Sequence, residues 1–511
     1  MKEWLYTKEP LDINDNVRNM ILDVVPSEYK MDKYIDAVCI IVHRLSNIPW
    51  YTQELLMKET ELNKKELIKI NKVIRDSDYL QHLIIKKGLG RKYWNTIIPL
   101  LNTGSIQSVI ENKYNFPLRL GIYPGISCMF YCGFCGRNQK ARYPGGIQKD
   151  SFEMFKRIFD KMPKNSTISI SGGLEPLTHN RIGEIISYAK SSGIRVPIIT
   201  NFHNGTPKFV EKHPGLLELD SCRVSLYGVD EESTYEVTRK KGSYELVKNN
   251  IIEFLKIRND VNPNLKLGLN YIIIPENVDH ISKLMDYIIE VNSKVDNGRG
   301  IDYITIREDF GSVTDTGNND IRLEGKENEL DGFLSKKDRM DLMKSFKEFN
   351  KKKEKYCPDL NVDFGYALDA LSEGIFVNQI KMVSGNEMRK FAYPQVSVVV
   401  DSFGDIFLYR EAGFLDRPGN DKFIIGRITK QKSLEDIIVD FISSKTEIEP
   451  HASDARFMDA FDHLVTVLIN QAENDKDLGI SFELGPVSAR GVTDVETTIQ
   501  KKNGLFGTIH Q

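Results

Sequence analysis

At 511 residues the chain exceeds what one hydrophobic core normally fills, so two or three packed units are expected. Its 69 basic and 72 acidic side chains leave a formal charge of -3, which gives no electrostatic basis for gripping a nucleic-acid backbone. The start, MKEWLYTKEPLDINDN, is charged rather than apolar, and no stretch reaches the length of a membrane span, so a cytoplasmic protein that binds neither membrane nor nucleic acid is expected.

Residues 1–100 carry apolar residues at helical spacing, as in IDAVCIIVHRL and KKELIKINKVI, and read as a helical domain. From 101 to 345 the texture changes. Short apolar runs at 118–124, 167–173, 195–201, 222–228, 267–274 and 302–308 alternate with amphipathic stretches such as SFEMFKRIFDKM and ISKLMDYIIEVNS. That alternation predicts an α/β fold, six strands of parallel sheet with outer helices, as an incomplete barrel or an open sheet. Chemistry belongs at the carboxyl ends of such strands. The segment GSVTDTGNNDIRLEGKENE after the sixth strand is polar and reads as a surface loop. Residues 346–478 read as a C-terminal α+β extension: in PQVSVVVDSFGDIFLYREAGF, apolar runs flank a turn-forming DSFGD, which predicts a β-hairpin. The tail at 479–511 has no clear period. A pocket cover, an oligomer contact and a determinant of substrate choice all remain open for it.

Six cysteines in a long chain do not read as a disulfide framework. Cys39, Cys222 and Cys357 stand far apart and read as small buried hydrophobes. Cys128, Cys132 and Cys135 share one loop, in GISCMFYCGFCGRNQ, directly after a predicted strand. Three thiolates on a tight loop bind soft metal, and three nearby ligands leave one metal position open to a further ligand. Zinc completed by a distant side chain is the other reading. A second turn, Ser171-Gly172-Gly173-Leu174-Glu175-Pro176, ends the second predicted strand with backbone left accessible by the paired glycines.

The Cys-x3-Cys-x2-Cys loop after the first barrel strand, with Phe134 before the last cysteine, resembles the signature of the radical S-adenosylmethionine family. The glycine-rich turn is similar to that family's Gly-Gly-x-Glu-Pro motif. The resemblance implies a partial (β/α)6 barrel. It also implies one [4Fe–4S] cluster on the three cysteines, with S-adenosyl-L-methionine chelating the fourth iron and yielding a 5′-deoxyadenosyl radical on reduction. By the same resemblance Gly172, Gly173 and Glu175 receive the methionine end of the cofactor, and Asn201, Ser225 and Asn270 contact its ribose, carboxylate or adenine. Flavodoxin or ferredoxin is the implied electron donor.

The likeness extends through YWNTIIPL at 93–100, SLYG, IDYITIRED, YALDAL and the hairpin segment to members of the family that deaminate a TDP-linked 4-amino-4,6-dideoxyhexose. It implies abstraction of the C3 hydrogen and loss of ammonia to give a 3-keto-4,6-dideoxy sugar. Oxidation of a nucleotide sugar without loss of nitrogen, or action on an aminoglycoside or nucleoside, stays open. Arg307 and Glu308 at the end of the sixth strand, and Arg410 and Glu411 after the hairpin, are the candidate substrate groups, because arginine matches a diphosphate and a carboxylate handles a proton or an amine. Tyr227 in SLYG is a candidate for stacking on a sugar or base. The hairpin carries Tyr409 and Arg410 where other radical enzymes of the family present cysteines for auxiliary clusters, so a single cluster is expected. His179 and His203 follow the second and third strands with no visible partner.

Overall fold

The computed structural model describes residues 13–47, 57, 59–75, 77, 79–80, 104–132, 135, 147–164, 166–308, 336–364, 393–414 and 419–445, with single residues at 448, 457, 462, 465 and 469. Ten strands lie in one sheet: β1 (Arg119–Tyr123), β2 (Thr167–Ile170), β3 (Pro197–Thr200), β4 (Ser221–Leu226), β5 (Lys266–Ile273), β6 (Tyr303–Glu308), β7 (Asn361–Phe364), β8 (Ser397–Asp401), β9 (Asp405–Phe407) and β10 (Ile424–Arg427). Their order is β10-β9-β8-β1-β2-β3-β4-β5-β6-β7. From β8 through β7 every pairing is parallel, and β8, β9 and β10 pair antiparallel. The two end strands, β10 and β7, do not pair with each other among the described residues.

The sheet therefore holds eight parallel strands where six were expected. β7 escapes sequence reading because it is four residues long with only Val362 and Phe364 apolar. β8 was expected as half of a separate hairpin. It forms the expected antiparallel hairpin with β9 but also pairs with β1 over five residues, and Val398 and Val400 join the core under the outer helices while Val399 joins a second core on the other face. Burial on both faces explains the unbroken run SVVVD. The boundary expected near residue 345 falls inside the helix Lys336–Tyr356, which leads directly into β7.

Alternation within strands sorts the rest. Leu120, Ile122, Ile168, Ile170, Val224, Leu267, Leu269, Ile304 and Ile306 face the outer helices and are buried. Gly121, Ser169, Arg223, Asn270 and Thr305 occupy the alternate positions, so the inner face of the sheet is largely polar. The outer helices include Ile147–Phe159, Ile182–Ser191, Ser243–Val261 and Ile281–Ser293, matching the amphipathic stretches in the sequence. The N-terminal helices Asp15–Val24, Asp32–Asn47 and Lys64–Arg75 share a separate core around Ile35, Val38, Leu67 and Ile70. Among the described residues no helix is long and apolar enough to cross a membrane.

Candidate active site

The loops after β1 and β2 are sewn together by backbone. Glu175 N–H donates to Ser127 O at 2.9 Å, and Ile126 N–H donates to Thr178 Oγ1 at 3.0 Å, while that hydroxyl donates to Glu175 O at 2.6 Å. Gly125 makes this seam possible: a Cβ there would lie 2.6 Å from the carbonyl carbon and oxygen of Leu174 and 2.7 Å from Glu175 O. Neither Gly125 nor Thr178 stood out in the sequence. The Pro124-Gly125 pair just before the first cysteine was the available signal.

This seam presents the cysteine loop. Phe130 is buried and packs edge-on against Tyr227 at 5.5 Å and His203 at 5.4 Å, and Tyr131 N–H donates to Thr238 O at 2.8 Å. Cys132 is buried, Cys128 and Cys135 are partly buried, and Cys135 N–H closes a turn onto Cys132 O at 3.0 Å. The Tyr227 hydroxyl is held far above its ordinary pKa by burial and by the negative charge that Cys132, Cys128, Glu175 and Cys135 carry when ionised. Among the described residues no three His, Cys, Asp or Glu side chains close to single-ion distance. The donor set fits a larger sulfide-bridged group: three soft thiols on one loop, one of them accepting from Asn201 Nδ2 at 3.5 Å. Phe134, Gly133, Gly136 and Arg137, like Trp94 and Asn95, lie outside the described residues.

Glu175 is buried and caps the short helix Pro176–Thr178. Its Oε1 accepts from Leu177 N–H at 3.1 Å and from the Thr200 hydroxyl, and its Oε2 from Asn201 N–H at 2.8 Å. The carboxylate therefore joins the ends of β2 and β3. Asn201, expected to contact the cofactor's ribose or carboxylate, directs Nδ2 to Met129 Sδ at 3.1 Å and Cys128 Sγ at 3.5 Å, with its Oδ1 accepting from His203 N–H. Gly173 has φ +74°, the left-handed region where glycine is favoured, and Gly172 lies beside the Tyr123 and Phe414 rings. His179 is fully buried: its Nδ1 accepts from Arg181 N–H at 3.1 Å, so Nε2 carries the proton toward Ser151 Oγ at 3.0 Å, a structural role.

Arg410 reaches into this region. Its Nη2 donates to Ser171 Oγ at 2.8 Å, and its carbonyl accepts from the Tyr123 hydroxyl at 3.1 Å. Glu411 follows in the same turn, Arg410–Gly413, close enough that the two charges act oppositely on the buried Tyr123 hydroxyl. Together with Arg119, Ser169 and Ser397, Arg410 lines a small cleft with a volume of only about 10 Å³.

Arg307, opposite Ile272 of β5, lies on the inner side of the sheet with Thr305. Ser225, Asn270 and Thr305 are in register across β4, β5 and β6 on that inner side. Gly268 lies beneath the Tyr303 ring, where a Cβ would sit 2.2 Å from ring carbons, so it is covered rather than offered to a ligand.

A parallel sheet whose first strand delivers three thiols on one loop, with a glycine-rich turn beside them, defines the class, and residues 122–288 match the Radical SAM superfamily. The chain belongs to that superfamily and is a radical SAM enzyme, which implies S-adenosylmethionine and an iron–sulfur cluster as its cofactors. It is related to dTDP-4-amino-4,6-dideoxy-D-glucose ammonia-lyase of Streptomyces venezuelae, with 35% identity over 394 residues, 76% of this chain and 78% of that protein. Among solved structures, Streptococcus suis SuiB bound to S-adenosylmethionine aligns with 18% identity over 80% of this chain and 89% of that one, TM-score 0.37. The anSMEcpe structure with bound AdoMet and Cp18Cys peptide aligns with 15% identity over 76% and 98%, TM-score 0.41.

Proposed function

We propose that the chain is a carbon–nitrogen lyase that removes ammonia from a dTDP-linked 4-amino-4,6-dideoxyhexose, giving a 3-keto-4,6-dideoxy sugar. The observation that carries this reading is the 35% identity sustained over 76% of the chain with an ammonia-lyase of that substrate. A [4Fe–4S] cluster with S-adenosylmethionine, bound at Cys128, Cys132 and Cys135, supplies the 5′-deoxyadenosyl radical for hydrogen abstraction.

The chain's own residues do the rest. Asn201 and the Phe130–Tyr227 contact hold the cysteine loop, and Glu175 with the Gly172-Gly173 turn receives the methionine ammonium. Tyr227, kept neutral by burial and the thiols, remains a hydrogen-bond donor over the working pH range. Arg410, braced by Ser171, and Arg307 on the inner face of β6 are the cations for the diphosphate. Once the C3 hydrogen is gone, the C3 hydroxyl proton leaves, the C4–N bond breaks with its electron pair to nitrogen, and one electron and one proton complete the ketone. An external donor such as flavodoxin or ferredoxin supplies that electron.

One cluster is supported by the state of the other thiols. Cys222, Cys357 and Cys39 are all pushed above the ordinary thiol pKa by burial, the environment of unreactive cysteines. The test is anaerobic turnover with the dTDP-amino sugar. Ammonia and 5′-deoxyadenosine are expected in step with a nitrogen-free keto sugar. A keto product that keeps its nitrogen, or turnover only with sugars lacking the nucleotide, would overturn the reading.

A further inference from the structure

β7, absent from the six-strand expectation, brings a carboxylate to the inner face. Its register with β6 is Tyr303↔Asn361, Ile304↔Val362, Thr305↔Asp363 and Ile306↔Phe364. Ile304 and Ile306 are buried under the outer helices and Val362 packs against the same core, so Asp363 stands on the opposite side with Thr305. Thr305 is in register with Asn270 and Asn270 with Ser225. One row, Ser225–Asn270–Thr305–Asp363, therefore crosses four strands at one level.

The row has a floor and a roof. Below it the Tyr303 ring lies over Gly268, with the buried Arg223 guanidinium 5.7 Å from the ring centre. Above it, two residues further along β4, is Tyr227 beside the thiols, and along β6 is Arg307. Two residues of strand rise by about 6–7 Å, the depth of a hexose ring. Ser225 and Asn270, on interior strands, and Asp363, on the end strand β7, are partly exposed, whereas the helix-facing residues of β4 to β6 at the same level are buried.

We propose that Asp363 receives the protonated amine of the sugar and so sets a preference for an amino over a hydroxyl group at C4. The inference rests on the amino-sugar reading above. Asp363 is the one carboxylate on the inner face of β4 to β7 among the described residues, against the cations Arg223, Lys266 and Arg307. Among the described residues no hydrogen bond or ion pair engages it. Ser225 and Asn270 serve sugar hydroxyls as neutral partners, and a cationic substituent requires a charge on the same face. Held there, the amine points away from Arg307 and keeps the proton with which it departs.

The test is equilibrium binding to the anaerobically reconstituted enzyme with S-adenosylmethionine, comparing the dTDP-linked 4-amino sugar with its 4-hydroxy counterpart. D363N is expected to weaken the 4-amino sugar by about ten- to a hundredfold and leave the 4-hydroxy sugar unchanged, the range of a charge-assisted hydrogen bond. D363E is expected to retain the preference. Equal weakening of both sugars by D363N, or an unaltered preference, would overturn the inference while leaving the proposed reaction intact. A wild-type protein indifferent between the two sugars overturns it without any variant. Binding of neither sugar removes the proposed function, and this inference with it.

Discussion

Gly125→Ala places the most specific demand on the site. The added Cβ would stand 2.6 Å from Leu174 C and O and 2.7 Å from Glu175 O, where carbon contacts settle at about 3.5 Å or more. All three are main-chain atoms, so relief requires the cysteine loop and the glycine-rich turn to part by nearly 1 Å. The hydrogen bonds across the seam, Glu175 N–H to Ser127 O and Ile126 N–H to Thr178 Oγ1, would stretch with it. Overpacking costs about 1–3 kcal/mol and each of the two weakened bonds about 1 kcal/mol, so a loss of about 3–5 kcal/mol in unfolding free energy is expected. A 1 Å misplacement of aligned groups costs about a hundredfold in rate, which is the fall expected in 5′-deoxyadenosine formation. Urea unfolding, iron content and cofactor cleavage measured together would check this. Wild-type cleavage by G125A would refute the claim that the seam aligns cofactor and cluster.

Glu175→Gln should turn an NH2 toward one of the donors that Glu175 accepts from Leu177, Thr200 and Asn201. One buried bond goes unmade, a cost of about 1–3 kcal/mol, so both thermal stability and cofactor affinity should fall; a stability matching wild type would contradict the bridging role. Cys132→Ala should abolish cluster assembly, read as iron and sulfide per chain, and normal iron content would remove the three-thiol assignment. Asp401 gives the pH dependence. Burial, with Asp405 close by, pushes its carboxyl up to about 7, while Phe403 and Asp405 N–H both donate to Oδ1 and Oδ2 has no hydrogen-bond partner. The folded protein keeps a proton that the unfolded chain releases near pH 4, so stability present in acid is lost as pH rises toward about 7, by at most about 4 kcal/mol. D401N keeps the Oδ1 acceptor and removes the titration. Its stability relative to wild type should therefore grow between about pH 4 and 7 in urea unfolding, and a difference independent of pH would count against the buried carboxyl.

The six barrel strands and their helices were legible because alternation and helical period are local properties. β1 to β6 fall within about two residues of the expected runs at nearly every end. The cysteine loop and the Ser-Gly-Gly turn were legible because chemistry demands particular residues at short spacing. What was hidden is pairing at a distance. Nothing near VSVVV says that it lies beside β1 rather than in its own domain, and NVDF is too short to announce a strand. The carboxylate that shares a face with Arg307 is Asp363, fifty-six positions further on. The partner of Asn201 was hidden for the same reason: its amide meets Cys128 across 73 residues.

These long-range pairings also decide what the C-terminal segment is for. β8 lies between β1 and β9 and supplies Val398 and Val400 to the core under the outer helices. The Ser402 hydroxyl beyond it donates to Pro124 O at 3.0 Å, at the point where β1 gives way to the cysteine loop, and Arg410 braces Ser171 from the same segment. The strand that delivers the thiols is thus held on one side by β2 and on the other by residues almost three hundred positions later. A hairpin that in sequence looked like an appended domain is a neighbour of the cluster-bearing strand. Its arginine reaches the glycine-rich turn by the same register that keeps the sheet together, so the segment supports the sheet and the Ser171 turn through one set of contacts.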